Sequence, residues 1–213
     1  MKTLKINCND QSFILHSSGA VFWNKESMLL IADVHLGKVT HFRKHGSAIP
    51  QESISQNFKA LAEVVAYFKP KFLCFLGDLF HSYINNEWLL FENFIGEISC
   101  DVILISGNHD IIPTSMYDKI GVEVIQELVI KTFLLTHHPE NRIGFFNFSG
   151  HIHPGVKLLG FGKQFLSLSC FYRTKNQIIL PAFGSFTGKF IIQPKKEDHI
   201  YVITDNEVIE MKN

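Results

Sequence analysis

The chain has 213 residues, 46% of them apolar and 19% charged, and its acidic and basic side chains balance to a net charge of zero. That length carries one sizeable core, and no apolar run approaches the roughly 20 residues that a bilayer demands, which excludes a membrane partner. Zero net charge argues against coating nucleic acid or membranes by bulk electrostatics, and the polar start from Met1 to Asp10 lacks a secretory signal, so a cytoplasmic protein is expected.

In chain order, Leu4 to Ile6 and Phe13 to Val21 read as strands and turns. Met28 to Ala32 is a short apolar run of the kind that forms a strand buried on both faces. From Gln51 to Phe68, Ile54, Phe58, Leu61, Ala62 and Val65 recur at steps of three and four, which predicts a helix. Phe72 to Leu76 is a second strand, and Asn86 to Ile98 a second helix that Asn85 or Asn86 could cap. Val102 to Ile105 is a third strand. After Gly121 the pattern turns to strands: Val122 to Ile125, Val129 to Thr136, Phe145 to Phe148, Gln164 to Phe171, Gln177 to Leu180 and Ile200 to Ile203. An α/β (α+β) sandwich of two mixed β-sheets flanked by helices, four layers in all, accommodates this order. With no linker or repeat, residues 1–213 are expected to be one domain. The scattered Cys8, Cys74, Cys100 and Cys170 form no CxxC pair and read as buried apolar fillers.

The chemistry gathers where those apolar runs end. Asp33-Val34-His35, Gly77-Asp78, Gly107-Asn108-His109-Asp110, His137 and Gly150-His151-Ile152-His153 each follow a strand. In an open α/β sheet such ends converge on one edge, where ligands bind. A mixed set of carboxylate, amide and imidazole donors suits manganese, iron or zinc better than magnesium or calcium. Alternation along a strand would put Asp33 with His35, and His151 with His153, each pair at one metal site. It would turn His138 away from His137. Glycines before Asp78, Asn108 and His151 let the backbone turn beside the metals.

These blocks, in this order, resemble the calcineurin-like metallophosphoesterase superfamily: DxH, GD, GNHD, a lone His after a strand, and GHxH. The resemblance implies a metallophosphoesterase fold and two metal ions. Asp33, His35, Asp78 and His153 would hold one ion and Asn108, His137 and His151 the other, with Asp78 bridging. Residues 32–38, with His41-Phe42-Arg43, Gly46 and Pro50, look like the bacterial ligase-associated metallophosphoesterase family. So do Gly77-Asp78-Leu79-Phe80-His81-Ser82, Gly150-His151-Ile152-His153-Pro154 and residues 180–188. The chain departs from that family at Lys189-Phe190, where a second glycine is expected. By this narrower likeness the enzyme is a manganese-dependent endonuclease of single-stranded DNA associated with repair, with iron or zinc as alternative metals.

Two metals about 3.5–4 Å apart would acidify a bridging water and clamp the phosphate, with Asn108 dispersing negative charge. His109, beside a candidate ligand, is the expected general acid, and Asp110 or another carboxylate would orient its ring. Arg43, with His41, reads as a phosphate-contacting rim within the basic segment Lys38 to His45, against a solvated loop. His81 reads as a substrate-side or supporting residue, against a solvent-facing one. His16 and His199 read as histidines without a catalytic part. From His151 to Lys196 the chain has seven basic residues, interleaved phenylalanines and no carboxylate, a pattern open to a single-strand groove or to strands with lysines outward. The rival functions are a phosphoesterase for a cyclic nucleotide or nucleotide-sugar diphosphate, which zero net charge favours, and a noncatalytic scaffold, which predicts decayed ligands. Both a monomer and a homo-oligomer stay open.

Overall fold

The computed structural model describes residues 2–40, 52–81, 83–160, 162, 164–184 and 187–211. Its first sheet is laid down in chain order. Strands β1 (Thr3–Cys8), β2 (Gln11–His16), β3 (Val21–Trp23) and β4 (Met28–Ile31) run antiparallel. From β4 the sheet continues parallel through β5 (Phe72–Phe75), β6 (Asp101–Ile105) and β7 (Val122–Ile125). Parallel neighbours need crossovers, and the helices α1 (Glu52–Phe68), α2 (Glu87–Glu97) and α3 (Thr114–Asp118) lie in the three connections. The cap of α2 falls to Asn85, whose side chain accepts the Glu87 amide at 2.9 Å, while Asn86 makes no side-chain cap bond.

The second sheet holds β8 (Leu128–Ile130), β9 (Phe133–Leu135), β10 (Phe146–Ser149), β11 (Pro154–Leu159), β12 (Phe165–Arg173), β13 (Gln177–Ile179) and β14 (Phe190–Ile191). Its order is β14-β11-β12-β13-β10-β9-β8, with β15 (His199–Ile203) pairing β12 and β16 (Val208–Met211). It is mixed: β9, β10 and β13 run parallel, while β12 is antiparallel to β11 and β13. The single strand expected over Val129 to Thr136 is instead the hairpin β8–β9, because Lys131 takes a left-handed φ of 56° and reverses the chain. Strand β11 had no counterpart in the sequence reading. It opens on Pro154-Gly155, a pair that reads as a turn, and proline is tolerated at a strand's first residue.

Alternation along β4 decides the layers. Met28 and Leu30 join the core between the sheets, with Phe13, Trp23, Phe133, Phe148 and Phe171, while Leu29 and Ile31 join the core beneath the helices, with Leu61, Phe75 and Phe91. Ring centroids 4.7 Å apart for Phe13 and Phe148, and 4.8 Å for Trp23 and Phe133, show how tightly the inner core closes. Each large side chain buried there contributes about 1.5–3 kcal/mol. A smaller cluster of Val156, Cys170, Ile192, Ile200 and Val202 completes the apolar packing. Cys8, Cys74 and Cys170 are buried and all four cysteines are free, as expected of apolar fillers. Among the described residues no helix is long and apolar enough to cross a membrane.

Candidate metal centre

The two cores fix the carboxyl ends of β4, β5, β6, β9 and β10 at one edge of the sandwich, and the candidate ligands follow those ends directly. Three groups of side chains there could hold a metal ion: Asp33 with His35 and His153, Asp33 with Asp78 and His137, and His137 with His138 and His151. In the first group His35 Nε2 and His153 Nε2 face each other at 3.3 Å, and His153 Nε2 lies 3.3 Å from Asp33 Oδ1. Around His137, which the other two groups share, Nε2 lies 3.0 Å from Asn108 Oδ1 and 3.2 Å from His151 Nδ1. Asp78 joins the two. Its Oδ2 is 4.0 Å from His35 Nε2 and its Oδ1 is 3.5 Å from His137 Nε2.

Strand alternation does not produce this arrangement, contrary to the sequence expectation. Asp33, His35, Asp78, His151 and His153 all lie past their strands with left-handed φ of 50–67°. Left-handed backbone costs a non-glycine residue about 1–3 kcal/mol, so the packing around these loops must hold it. The consequence is that His151 and His153 separate, one to each group. Gly77 turns as expected, with a left-handed φ of 85°, whereas Gly107 and Gly150 serve close approach. A Cβ on Gly107 would fall on Asp78, and one on Gly150 would fall on Asp33.

The donor set fits a cation. The His137 Nδ1–H donates to the Leu76 carbonyl at 2.9 Å, which leaves a lone pair on Nε2 aimed at the Asn108 and Asp78 oxygens. Facing lone pairs repel unless a positive charge sits among them. Asp33 is fully buried. One of its oxygens accepts the His151 amide at 2.8 Å, while the other, Oδ1, has no hydrogen-bond partner among the described residues. Burial, with the Lys38 charge and neighbouring imidazoles behind it, lowers the His35 pKa to about 2, and burial lowers that of His151. Both rings are thereby neutral, the form that binds metal.

Around the groups stand the other candidates. The His109 ring centroid is 5.7 Å from that of His35, and the His81 ring is 4.9 Å from His109 and 5.6 Å from His35. Asp110 does not serve the His109 ring as expected. Its oxygens accept the backbone amides of Asp78, Gly107 and Phe80 at 2.8, 2.8 and 3.2 Å, which ties the Asp78 loop to the Asn108 loop. Burial raises its pKa to about 6 against those three amides. Lys38 is half-buried and feels the charges of Asp78 and Asp33. His41 and Arg43 lie outside the described residues. His16 packs on Tyr67 and Phe68 and His199 pairs with Glu210, both away from the centre.

His138 was expected to point away, yet its ring centroid is 4.1 Å from that of His151. Strand β9 stops at Leu135, so alternation no longer applies two residues later. A buried clasp shapes this loop. Asn147 donates to Thr136 Oγ1 at 2.8 Å and accepts the Glu140 amide at 3.0 Å, and Thr136 Oγ1 donates to the His138 carbonyl at 2.7 Å. The available signal was an asparagine inside the apolar run Phe146 to Phe148, since a buried amide has to be hydrogen-bonded.

A model of the calcineurin-like phosphoesterase family matches residues 27–175. Among solved structures, the chain is similar to the nuclease MPE of Pseudomonas putida, with 27% identity, a TM-score of 0.83, and coverage of 98% of this chain and 100% of that one. It is also similar to Yfce, a phosphoesterase from E. coli, with 14% identity, a TM-score of 0.46, and coverage of 86% and 97%. No curated protein matched the chain.

Proposed function

The chain belongs to the calcineurin-like phosphoesterase family and is a metal-dependent phosphoesterase, and on that premise we propose that it is a manganese-dependent endonuclease cutting phosphodiester bonds of single-stranded DNA in repair. The observation that carries the dinuclear reading is Asp78, whose two oxygens face a histidine of each group. Asp33, His35, Asp78 and His153 would hold one ion, and Asp78, Asn108, His137 and His151 the other. Nitrogen-rich donors favour manganese, iron or zinc over magnesium. The DNA reading draws on the nuclease named among the similar structures and on the carboxylate-free, aromatic stretch of residues 151–196. Since both sheets supply the donors proposed for each ion, the reading takes residues 1–213 as one domain, and its expected place is the cytoplasm.

Two divalent ions held there supply Lewis acidity, acidifying the attacking water and neutralising phosphate charge. The chain's own part is positional. Asp78 is held twice, by its own amide donating to Asp110 and by the His109 amide donating to its Oδ1 at 2.9 Å. The second bond also fixes where the His109 ring stands. His109 then protonates the departing alkoxide, and His81, ring to ring with it, steadies the substrate or the donor.

Turnover of bis(p-nitrophenyl) phosphate, cyclic nucleotides and single-stranded DNA under manganese tests the assignment. DNA cleavage with internal cuts supports it. Cyclic nucleotides turned over far better than DNA would replace it with the small-metabolite reading.

A further inference from the structure

Strand β12 does not stop at the edge where the candidate metal groups lie. Strand β10 runs toward that edge and ends at Ser149, and β13 runs beside it, with Ile179 level with Ser149. Antiparallel to both, β12 meets Ile179 at Tyr172, so its earlier residues back to Phe165 continue past the edge. Seven residues at a strand's rise make this overhang about 23 Å long. Strand β11 leaves His153 and climbs the same ribbon, placing Leu159 opposite Phe165. Strand β14 flanks it, and the Phe190 amide donates to the His153 carbonyl at 2.9 Å. The ribbon therefore starts at the metal centre itself.

Parity tells which face looks inward. Phe171 belongs to the core between the sheets, so Ser169, Ser167 and Phe165 lie on that same face. Ser169 lines a cavity of about 190 Å³ with Phe183 and Gly184, whose amides donate to the carbonyls of Ala32 and Asp33. Lys157, opposite Ser167, is on this face as well. Its Nζ stands 4.0 Å from the Phe165 ring centroid, although that side chain is 62% exposed. Lys189 lies over Gly155 at the root of the ribbon, and Ile191, opposite Gly155, is 41% exposed.

We propose that the inner face of the β11–β12 ribbon is a binding track for single-stranded nucleic acid, with Phe165 as a base-stacking platform and Lys157 and Lys189 as phosphate contacts. This rests on the phosphodiesterase reading above and adds where the strand lies on leaving the reaction site. An exposed aromatic on a flat β-surface offers its face to any base, which is how sequence-tolerant single-strand binding is built. The charge is complementary, since two lysines line the track and residues 151–196 contain no carboxylate. The track is also continuous with the centre through His153.

The test uses the manganese-loaded full chain and a short phosphorothioate oligothymidylate as a slowly cut competitor of bis(p-nitrophenyl) phosphate. Phe165→Ala should raise the oligonucleotide inhibition constant by about 5- to 150-fold relative to the KM for the small diester in the same assay, and Phe165→Trp should restore it. Lys157→Gln should flatten the dependence of log inhibition constant on log salt by about 0.7. If the wild type is inhibited but neither substitution changes the inhibition constant, the track is wrong while the DNA reading stands. If the wild type is not inhibited at all, the DNA reading falls and the track with it. A change in mass by sedimentation on Phe165→Ala, with unaltered inhibition, would make the face a contact between copies and overturn the proposal.

Discussion

His109 is tied to the centre by its backbone and free to act by its ring, a division that makes it separable from the metal groups by mutation. His109→Asn should keep both metals by elemental analysis yet lose roughly 10²–10⁴-fold on DNA, whose alkoxide needs a proton on leaving. On a nitrophenyl ester, whose leaving group is already a stable anion, the deficit should shrink. Equal losses on both would reassign His109 to stabilising the phosphate. His16 offers a different residue-scale test. Burial, helped by Lys2, lowers its pKa, and its Nδ1 accepts the Ser18 amide at 3.1 Å, which requires the neutral ring. A folded value below the unfolded one means stability is full above the unfolded pKa and is lost as pH falls toward the folded one. Urea titrations from about pH 7 to about pH 5 should therefore show a smaller loss for His16→Gln than for wild type. At this scale the sequence was most legible where a polar residue ends an apolar run. Asp33, Asp78, Asn108, His137 and His151 could be picked out that way, and the structure brings them together. It was least legible at His138 and Asp110, whose roles depend on which way a loop turns after the strand rule has lapsed.

Helix α2 reaches the centre through one buried carboxylate. Glu87 is 2% exposed and accepts the Gly37 amide and the Thr40 hydroxyl, each at 2.7 Å, so the first turn of α2 grips the segment that follows His35. Glu87→Ala strands both donors and should cost about 2–4 kcal/mol, seen as a lower denaturation midpoint at unchanged slope. The melting temperature should fall by about 4–16 °C. An unchanged midpoint would mean that water replaces the carboxylate without cost. Elements with a clear period, α1, α2 and the strands β4 to β7, were readable because burial on a known face dictates their pattern. Elements set by partners were not. Two-residue β14 exists because β11 is there to pair with it, and the β8–β9 hairpin depends on one left-handed lysine.

For the whole molecule, the important fact is that neither sheet owns the full donor set proposed for either ion. Asp33, His35, Asp78 and Asn108 follow strands of the first sheet, while His137, His151 and His153 follow strands of the second. Bound ions would pin the sheets together at that edge, so chelation should lower the melting temperature as well as abolish turnover. At concentrations near a hundred times the dissociation constant, each ion is worth about 2.7 kcal/mol, so two would move the midpoint by about 10–20 °C. Differential scanning fluorimetry with chelator, followed by manganese readdition, measures it, and a midpoint indifferent to metal would deny the pinning. The same division sets a schedule during synthesis. The Asp33 carboxylate meets the His151 amide and His153 Nε2, and 153 − 33 = 120 residues separate it from the later of the two. At roughly 5–20 residues per second, the Asp33 carboxylate waits about 6–24 s on the ribosome before those partners exist. Metal capture in the completed geometry would thus wait for the ligand loops of the second sheet, and the first sheet could not perform it alone.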